Sequence, residues 1–236
     1  MAKGRHGIHS PFVYQLVDQI FPRWKSFVNP QIEKKLTNFK RDKNIVDVVD
    51  FKTGRQNQIP IATIAKQSIS TKKFRSTLSS IASSLNVSTV LEAGTSLGIS
   101  SAYLCQVDSI ANVHTIDGNE SIINLAKTEF GTIEKLHFHV GEVKEIFQGL
   151  VSEINPDMIF LDADHRGETL DFYMNCLQPH LPKIKLIVVH DIYWSPDMYT
   201  AWKKIHHSYP ITIDIFEAGL LFPQIQSPPQ HFYLKF

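Results

Sequence analysis

From Val87 onward the sequence repeats one rhythm: a short apolar run, a turn, then a segment of helical period. Strand-like runs fall at residues 87–93, 112–117, 136–140, 157–162 and 184–191. Helical segments follow at about 99–107, 121–130, 143–153, 169–177 and 196–208. This alternation leaves few folds open. Parallel neighbours need a long crossover, and a helix packed on the sheet supplies it. The tail departs from the rhythm. Residues 211–216, 220–222 and 231–236 are short, apolar and not separated by helices. They predict an antiparallel hairpin closing one sheet edge. The expected architecture is α/β: a doubly wound, seven-stranded mixed sheet with an N-terminal helical extension.

The first third reads differently. Ser10-Pro11 offers an N-cap and a first-turn proline. Phe12, Val13, Leu16, Val17 and Ile20 follow at helical spacing, with Pro22 as the expected stop. A charged helix is expected over 30–41, and two more over 61–67 and 72–85. Residues 42–60 read as irregular apart from an apolar run at 45–49. They include Lys52-Thr53-Gly54-Arg55, a turn with two cations. The expected division is a helical cap at 1–75 and a main domain at 76–236, with the cap covering the crevice.

Composition narrows the function classes. Of 236 residues, 43% are hydrophobic and 20% charged, which suits a packed globular chain and not a disordered one. Lys plus Arg is 24 against 23 acids. That excludes the broad basic field a nucleic acid or an anionic membrane would need. The two cysteines, Cys105 and Cys176, form no CxxC, which argues against a zinc ribbon or disulfide scaffold and predicts a reducing cytoplasm. No apolar stretch approaches the ~20 residues of a membrane span. The first residues lack the apolar core of a secretory signal.

The first run of the alternating region ends Glu92-Ala93-Gly94-Thr95-Ser96-Leu97-Gly98. Gly94 permits a tight turn and close backbone approach, and Gly98 lets the next helix start near it. Asp117 ends the second strand, where an acid in α/β nucleotide folds bonds ribose hydroxyls. A third glycine of the dinucleotide pattern is missing, and Glu92 would repel a pyrophosphate. A cationic sulfonium ligand tolerates it.

These residues resemble motif I of class I S-adenosylmethionine-dependent methyltransferases. His114-Thr115-Ile116-Asp117-Gly118 is similar to that family's second strand and ribose acid. Gly141-Glu142-Val143 is similar to the segment that meets the adenine. The resemblance spans about residues 75–236 and implies a Rossmann-like sheet. It implies S-adenosylmethionine as cofactor, held by Glu92, Gly94, Thr95, Gly98, Asp117, Gly141, Glu142 and Asp162.

A second constellation lies at the ends of the fourth and fifth strands. Asp162, Asp164 and His165 follow one, and His190 and Asp191 the other. In open sheets both ends face the ligand crevice. Asp162, His190 and Asp191 are the expected ligands of a divalent cation, and His165 and His190 the candidate proton acceptors. The arrangement resembles the catechol-type and macrolide-sugar O-methyltransferases. His190 departs from their oxygen-only pattern, which favours a cation other than magnesium. Asp164 and His165 could instead cap the next helix.

The implied activity is methyl transfer to the hydroxyl of a small-molecule acceptor, with no nucleic acid or membrane partner and a homodimer as a further expectation. The alternatives are a nucleotide-dependent oxidoreductase and a cofactor-binding module without turnover. His137 and His139 share one strand face and read as sheet surface. His206-His207 sit near a helix end. Trp24, Trp194 and Trp202 read as packing anchors, with Trp194 a candidate for the acceptor pocket. Lys52, Arg55, Lys72, Lys73 and Arg75 read as a solvated face, with an anion site at the crevice mouth as the alternative. No mechanism suggests itself for His6-Gly7-Ile8-His9-Ser10-Pro11-Phe12.

Overall fold

The computed structural model describes residues 9–51 and 53–235. His6, Gly7 and Ile8 of the N-terminal motif, and Lys52 of the cationic turn, lie outside the described residues.

Helix α1 (Pro11–Gln15) is capped by Ser10, whose hydroxyl accepts the Val13 N–H at 3.4 Å. Pro22 does not stop this helical run. The backbone widens into a π turn over Leu16–Ile20, then tightens into a 3₁₀ helix over Phe21–Phe27. Pro22 sits in the first turn of that new helix, where a missing N–H costs nothing. Helix α2 (Pro30–Phe39) is capped by Asn29, which accepts from Gln31 and Ile32.

Residues 42–60 are not irregular. Strands β1 (Ile45–Asp50) and β2 (Arg55–Pro60) pair antiparallel, from Ile45 opposite Pro60 to Asp50 opposite Arg55. Strand β2 reads Arg-Gln-Asn-Gln-Ile-Pro, so no apolar alternation marks it. Two short helices follow, α3 (Ile61–Gln67) and the longer α4 (Lys72–Ser84). From Phe74 to Ala82 every residue of α4 is buried. It is held on several sides: Ser80 donates to Ile20 O at 2.7 Å, Ser79 to Tyr103 O, and Arg75 to Glu33 at 2.7 Å.

The alternating region then gives β3 (Thr89–Ala93), α5 (Ile99–Cys105), β4 (Asn112–Asp117), α6 (Glu120–Phe130), β5 (Leu136–Val140), α7 (Val143–Ile154), β6 (Met158–Leu161), α8 (Gly167–Leu177), β7 (Leu186–His190) and α9 (Pro196–Ile205). The tail adds β8 (Ile211–Asp214), β9 (Ala218–Phe222) and β10 (Gln230–Tyr233). The main sheet runs β10-β8-β9-β7-β6-β3-β4-β5. It is mixed, with β9 antiparallel to both β7 and β8. It has eight strands where seven were expected, because the last tail segment pairs parallel with β8 instead of ending at the antiparallel pair. The order reverses about β3, so the crevice opens at the carboxyl ends of β3, β4, β6 and β7.

The central strands β3, β6, β7, β8 and β9 are buried on both faces, which is why most of them read as nearly continuous apolar runs. Val90, Phe160, Val188 and Phe222 share one core with Val13, Leu16 and Ile20 of the N-terminal helical run, and with Leu78 of α4. Leu91, Ile159, Ile187 and Val189 face the other core with Phe147, Tyr173 and Trp202. The N-terminal segment is therefore packed into the sheet's own core. Among the described residues no helix is long and apolar enough to cross a membrane.

Candidate active site

The glycine loop is built by close approach of backbones. Gly94 has φ +107°, and the N–H groups of Gly94 and Thr95 both donate to Ile116 O, at 2.9 and 3.0 Å. A Cβ on Gly94 would stand 2.5 Å from the carbonyl oxygen of Asp162. Gly98, at φ +73°, faces away from the crevice toward Ala126 and Phe130 of α6. Asp117 closes β4 beside this loop. One of its oxygens accepts the Ser96 N–H at 3.0 Å and the other the Asn119 N–H at 2.9 Å. Burial raises its pKa while these two N–H bonds pull the other way. Each oxygen keeps lone-pair capacity for a further donor.

Glu92 takes a different place from the one expected. Its carboxylate is fully enclosed behind the loop, accepting from Ser100 at 2.5 Å, from Ser101, and from Thr115 at 2.7 Å. Burial pushes its pKa up to about 7 against the pull of those hydroxyls. The Thr95 hydroxyl is also buried and meets Thr115 Oγ1 at 2.8 Å. The two side chains brace the loop and do not line the crevice. Gly141 supports it too, donating to Asp117 O at 3.1 Å, while its neighbour Glu142 lines the crevice at the start of α7.

The crevice is a cavity of about 830 Å³ that gathers Gly94, Asp117, Glu142, Asp162, His165, His190, Asp191 and Trp194. Its roof comes from the N-terminal segment, including Phe51, Ile64 and Thr71. The Trp194 ring lies 5.6 Å from that of His165, with 69% of its surface exposed, so it is a wall of the cavity and not a packing anchor. Trp202, by contrast, is wholly buried against Gly219.

At the far end, carboxylates and imidazoles interleave. His190 Nδ1 lies 2.8 Å from Asp162 Oδ1 and 3.6 Å from Asp191 Oδ2, and its Nε2 lies 3.7 Å from Glu217 Oε1. The short contact to Asp162 is off the line of the N–H, so it is an ion pair more than an aligned hydrogen bond. Burial alone would lower the His190 pKa, but Asp162, Glu217 and Asp191 outweigh it and raise it to about 10. His165 Nε2 lies 3.7 Å from Asp191 Oδ2 and 4.0 Å from Asp162 Oδ1.

Glu217 escaped the sequence reading. It sits in the turn between β8 and β9, and Thr71 donates to it through both N–H and hydroxyl at 3.0 Å. An isolated acid in a turn looks like any solvated residue, and only the fold brings it to His190. The Asp164 carboxylate accepts from the side chains of Arg166 at 2.5 Å and Thr169 at 2.7 Å, and neither it nor His165 caps α8.

The distances group His165 with two of the expected cation ligands. Asp162, His165 and Asp191 each offer an atom within 4.8 Å of the others, and they are the only such group among the described residues. His190, expected as the third ligand, lies behind this group, buried against Asp162. Two carboxylates and one imidazole fit a divalent cation in charge and donor type, with manganese, iron or zinc favoured over magnesium.

The remaining histidines stay outside the site. His114, His137 and His139 form a ladder on one sheet face, His114 Nδ1 lying 3.0 Å from His139 Nε2. His206 is buried, stacks on His231 at 3.8 Å, and has a lowered pKa, so a helix-dipole role for its charge falls away. Arg75 also leaves the proposed cationic face, since it is buried against Glu33.

Residues 91–192 match the profile of a family described as a methyltransferase domain. Solved structures agree over more of the chain. Cofactor-bound Rv0187 from MTB superposes with a TM-score of 0.59 at 14% identity, covering 83% of this chain and 91% of that one. The O-methyltransferase from Bacillus cereus, in complex with SAH, gives 0.56 at 11% identity, covering 82% and 90%. The O-methyltransferase TomG from Streptomyces achromogenes, involved in tomaymycin synthesis and in complex with SAM, gives 0.51 at 17%, covering 66% and 82%. The fold is that of a class I S-adenosylmethionine-dependent methyltransferase. No curated protein matches the sequence. In this chain the glycine loop, the β4 acid and the ends of β6 and β7 surround one crevice.

Proposed function

We propose that this chain binds S-adenosylmethionine and transfers its methyl group to the hydroxyl oxygen of a small-molecule acceptor. The observation that carries the reading is the joint exposure to one cavity of Gly94 and Asp117 at one end and Asp162, His165 and Asp191 at the other. The loop after Gly94 takes the amino-acid end of the cofactor. Asp117 accepts from the ribose hydroxyls, and Glu142 borders the adenine. Two of the fold's relatives are O-methyltransferases by name, which supports an oxygen acceptor.

The donor is already activated, so the protein has two tasks: to align the acceptor oxygen with the methyl carbon, and to remove a proton. The carbon–sulfur bond breaks as the carbon–oxygen bond forms, and the acceptor proton passes to His165. His165 faces the cavity with 22% of its side chain exposed, whereas His190 is buried and its carboxylate neighbours raise its pKa to about 10. His190 holds Asp162 in place from behind. A divalent cation held by Asp162, His165 and Asp191 would polarise the acceptor hydroxyl, and His165 would then serve as a ligand. The free thiols of Cys105 and Cys176 support a cytoplasmic setting.

Calorimetry with S-adenosylhomocysteine, followed by labelled methyl transfer over a panel of hydroxyl acceptors with and without chelator, tests the reading. Binding plus transfer to at least one acceptor is expected. Absence of cofactor binding refutes it. Turnover in excess chelator assigns His165 to the proton, and turnover lost to chelator assigns it to the cation.

A further inference from the structure

The residue that follows the cavity acid is a glycine, and an aromatic side chain from far away in the sequence takes the space it leaves. A Cβ on Gly118 would stand 2.4 Å from both Cε2 and Cζ of Phe51. Phe51 sits at the tip of the β1–β2 hairpin, lines the cavity, and keeps 48% of its surface exposed. An aromatic ring half in water at a cavity edge has a face to offer.

The hairpin is clamped at this spot. The Val49 N–H donates to Asn119 Oδ1 at 2.6 Å, and Asn119 Nδ2 returns a bond to Val49 O at 3.2 Å. The Ser121 hydroxyl donates to Asp47 O. Asn119 is two residues beyond Asp117 and also donates its N–H to that acid. One turn therefore fixes both the acid and the aromatic tip. The wall beside Phe51 is apolar, with Val48, Ile59 and Ile122, and Glu142 lies at its rim.

We propose that Phe51 is the positioning residue that covers the adenine ring of the bound adenosyl cofactor, so that the N-terminal hairpin supplies half of the nucleoside site. The proposal rests on the cofactor reading above. A purine whose ribose hydroxyls reach Asp117 must project along the apolar wall, and stacking against an aromatic face is the interaction any base accepts. Gly118 is small so that Phe51 can lie close to the ribose acid.

The test measures Kd by calorimetry for S-adenosylhomocysteine and for 5′-methylthioadenosine, which keeps the adenine and ribose and lacks the amino acid. Phe51→Ala should weaken both by about ten-fold or more and by the same factor, while Phe51→Trp retains both. Where Phe51→Ala fails to fold, Phe51→Leu decides, since it keeps apolar volume without a flat face, and at least a three-fold loss is expected. Asp117→Ala serves as the control for the cofactor site. If wild type binds and Asp117→Ala does not, yet folded Phe51→Ala or Phe51→Leu binds both ligands like wild type, the hairpin assignment is overturned alone. If wild type binds neither ligand, the cofactor reading falls and takes this one with it.

Discussion

Replacing glycine by alanine adds the same methyl group everywhere, yet at two positions of this chain it should shift stability in opposite directions. At Gly94 the new Cβ falls 2.5 Å from Asp162 O and 2.8 Å from its carbonyl carbon, both backbone atoms. Neither can swing away, because Asp162 N–H is bonded to Ala93 O at 2.8 Å and β3 pairs with β6 along its length. The φ of +107° adds strain for any residue with a side chain. Strained backbone costs about 1–3 kcal/mol, and forced overpacking about 1–3 kcal/mol more. Gly94→Ala should therefore lose on the order of 2–6 kcal/mol and open the loop that meets the cofactor. At Gly149, exposed in the middle of α7, a Cβ meets nothing within 4 Å. Gly149→Ala should gain about 1 kcal/mol from helix propensity alone. Urea denaturation of both variants, with S-adenosylhomocysteine calorimetry on each, checks the pair. A Gly94→Ala protein as stable as wild type would refute the claim that β3 and β6 meet through this glycine.

Other outcomes follow from the site. Asp117→Ala removes two charge-assisted bonds to ribose, each worth about 1.5–3 kcal/mol, so S-adenosylhomocysteine affinity should fall at least about a hundred-fold; unchanged affinity by calorimetry rejects the ribose assignment. Glu92 keeps its proton to about pH 7 in the fold against 4.5 unfolded. Its stabilising proton uptake is complete below pH 4.5 and lost as pH rises to about 7. Glu92→Gln should flatten that slope, on the order of 3 kcal/mol across the window, and equal urea midpoint shifts between pH 4.5 and 8 in both proteins contradict it. Manganese affinity, followed by calorimetry, should drop at least ten-fold in His165→Ala and by less in His190→Ala, which leaves the donors of Asp162, His165 and Asp191 present; the reverse order restores His190 as the ligand.

The strand–turn–helix rhythm by itself determined the doubly wound sheet, because apolar runs of that length separated by helical segments have few other ways to bury both faces. Gly94 and Asp117 were legible because a turn against a neighbouring strand and an acid at a strand end are local requirements. What lay between distant segments was decided only in three dimensions. Strand β2 carries no apolar pattern, and its place comes from pairing with β1 in a hairpin that Asn119 anchors through Val49. Glu92 reads as an acid that meets the cofactor, yet three hydroxyls from α5 and β4 enclose it. His190 and His165 are both histidines at strand ends. They differ because Asp162 lies 2.8 Å from His190 and 4.0 Å from His165, and because Glu217, brought from 27 residues further on by the β8–β9 turn, reaches only His190. Spacing along the chain reports which elements form and where their ends point. Which charges meet there depends on loops whose course is set by packing, and so the grouping of Asp162, His165 and Asp191 and the cover of the crevice belong to the tertiary structure.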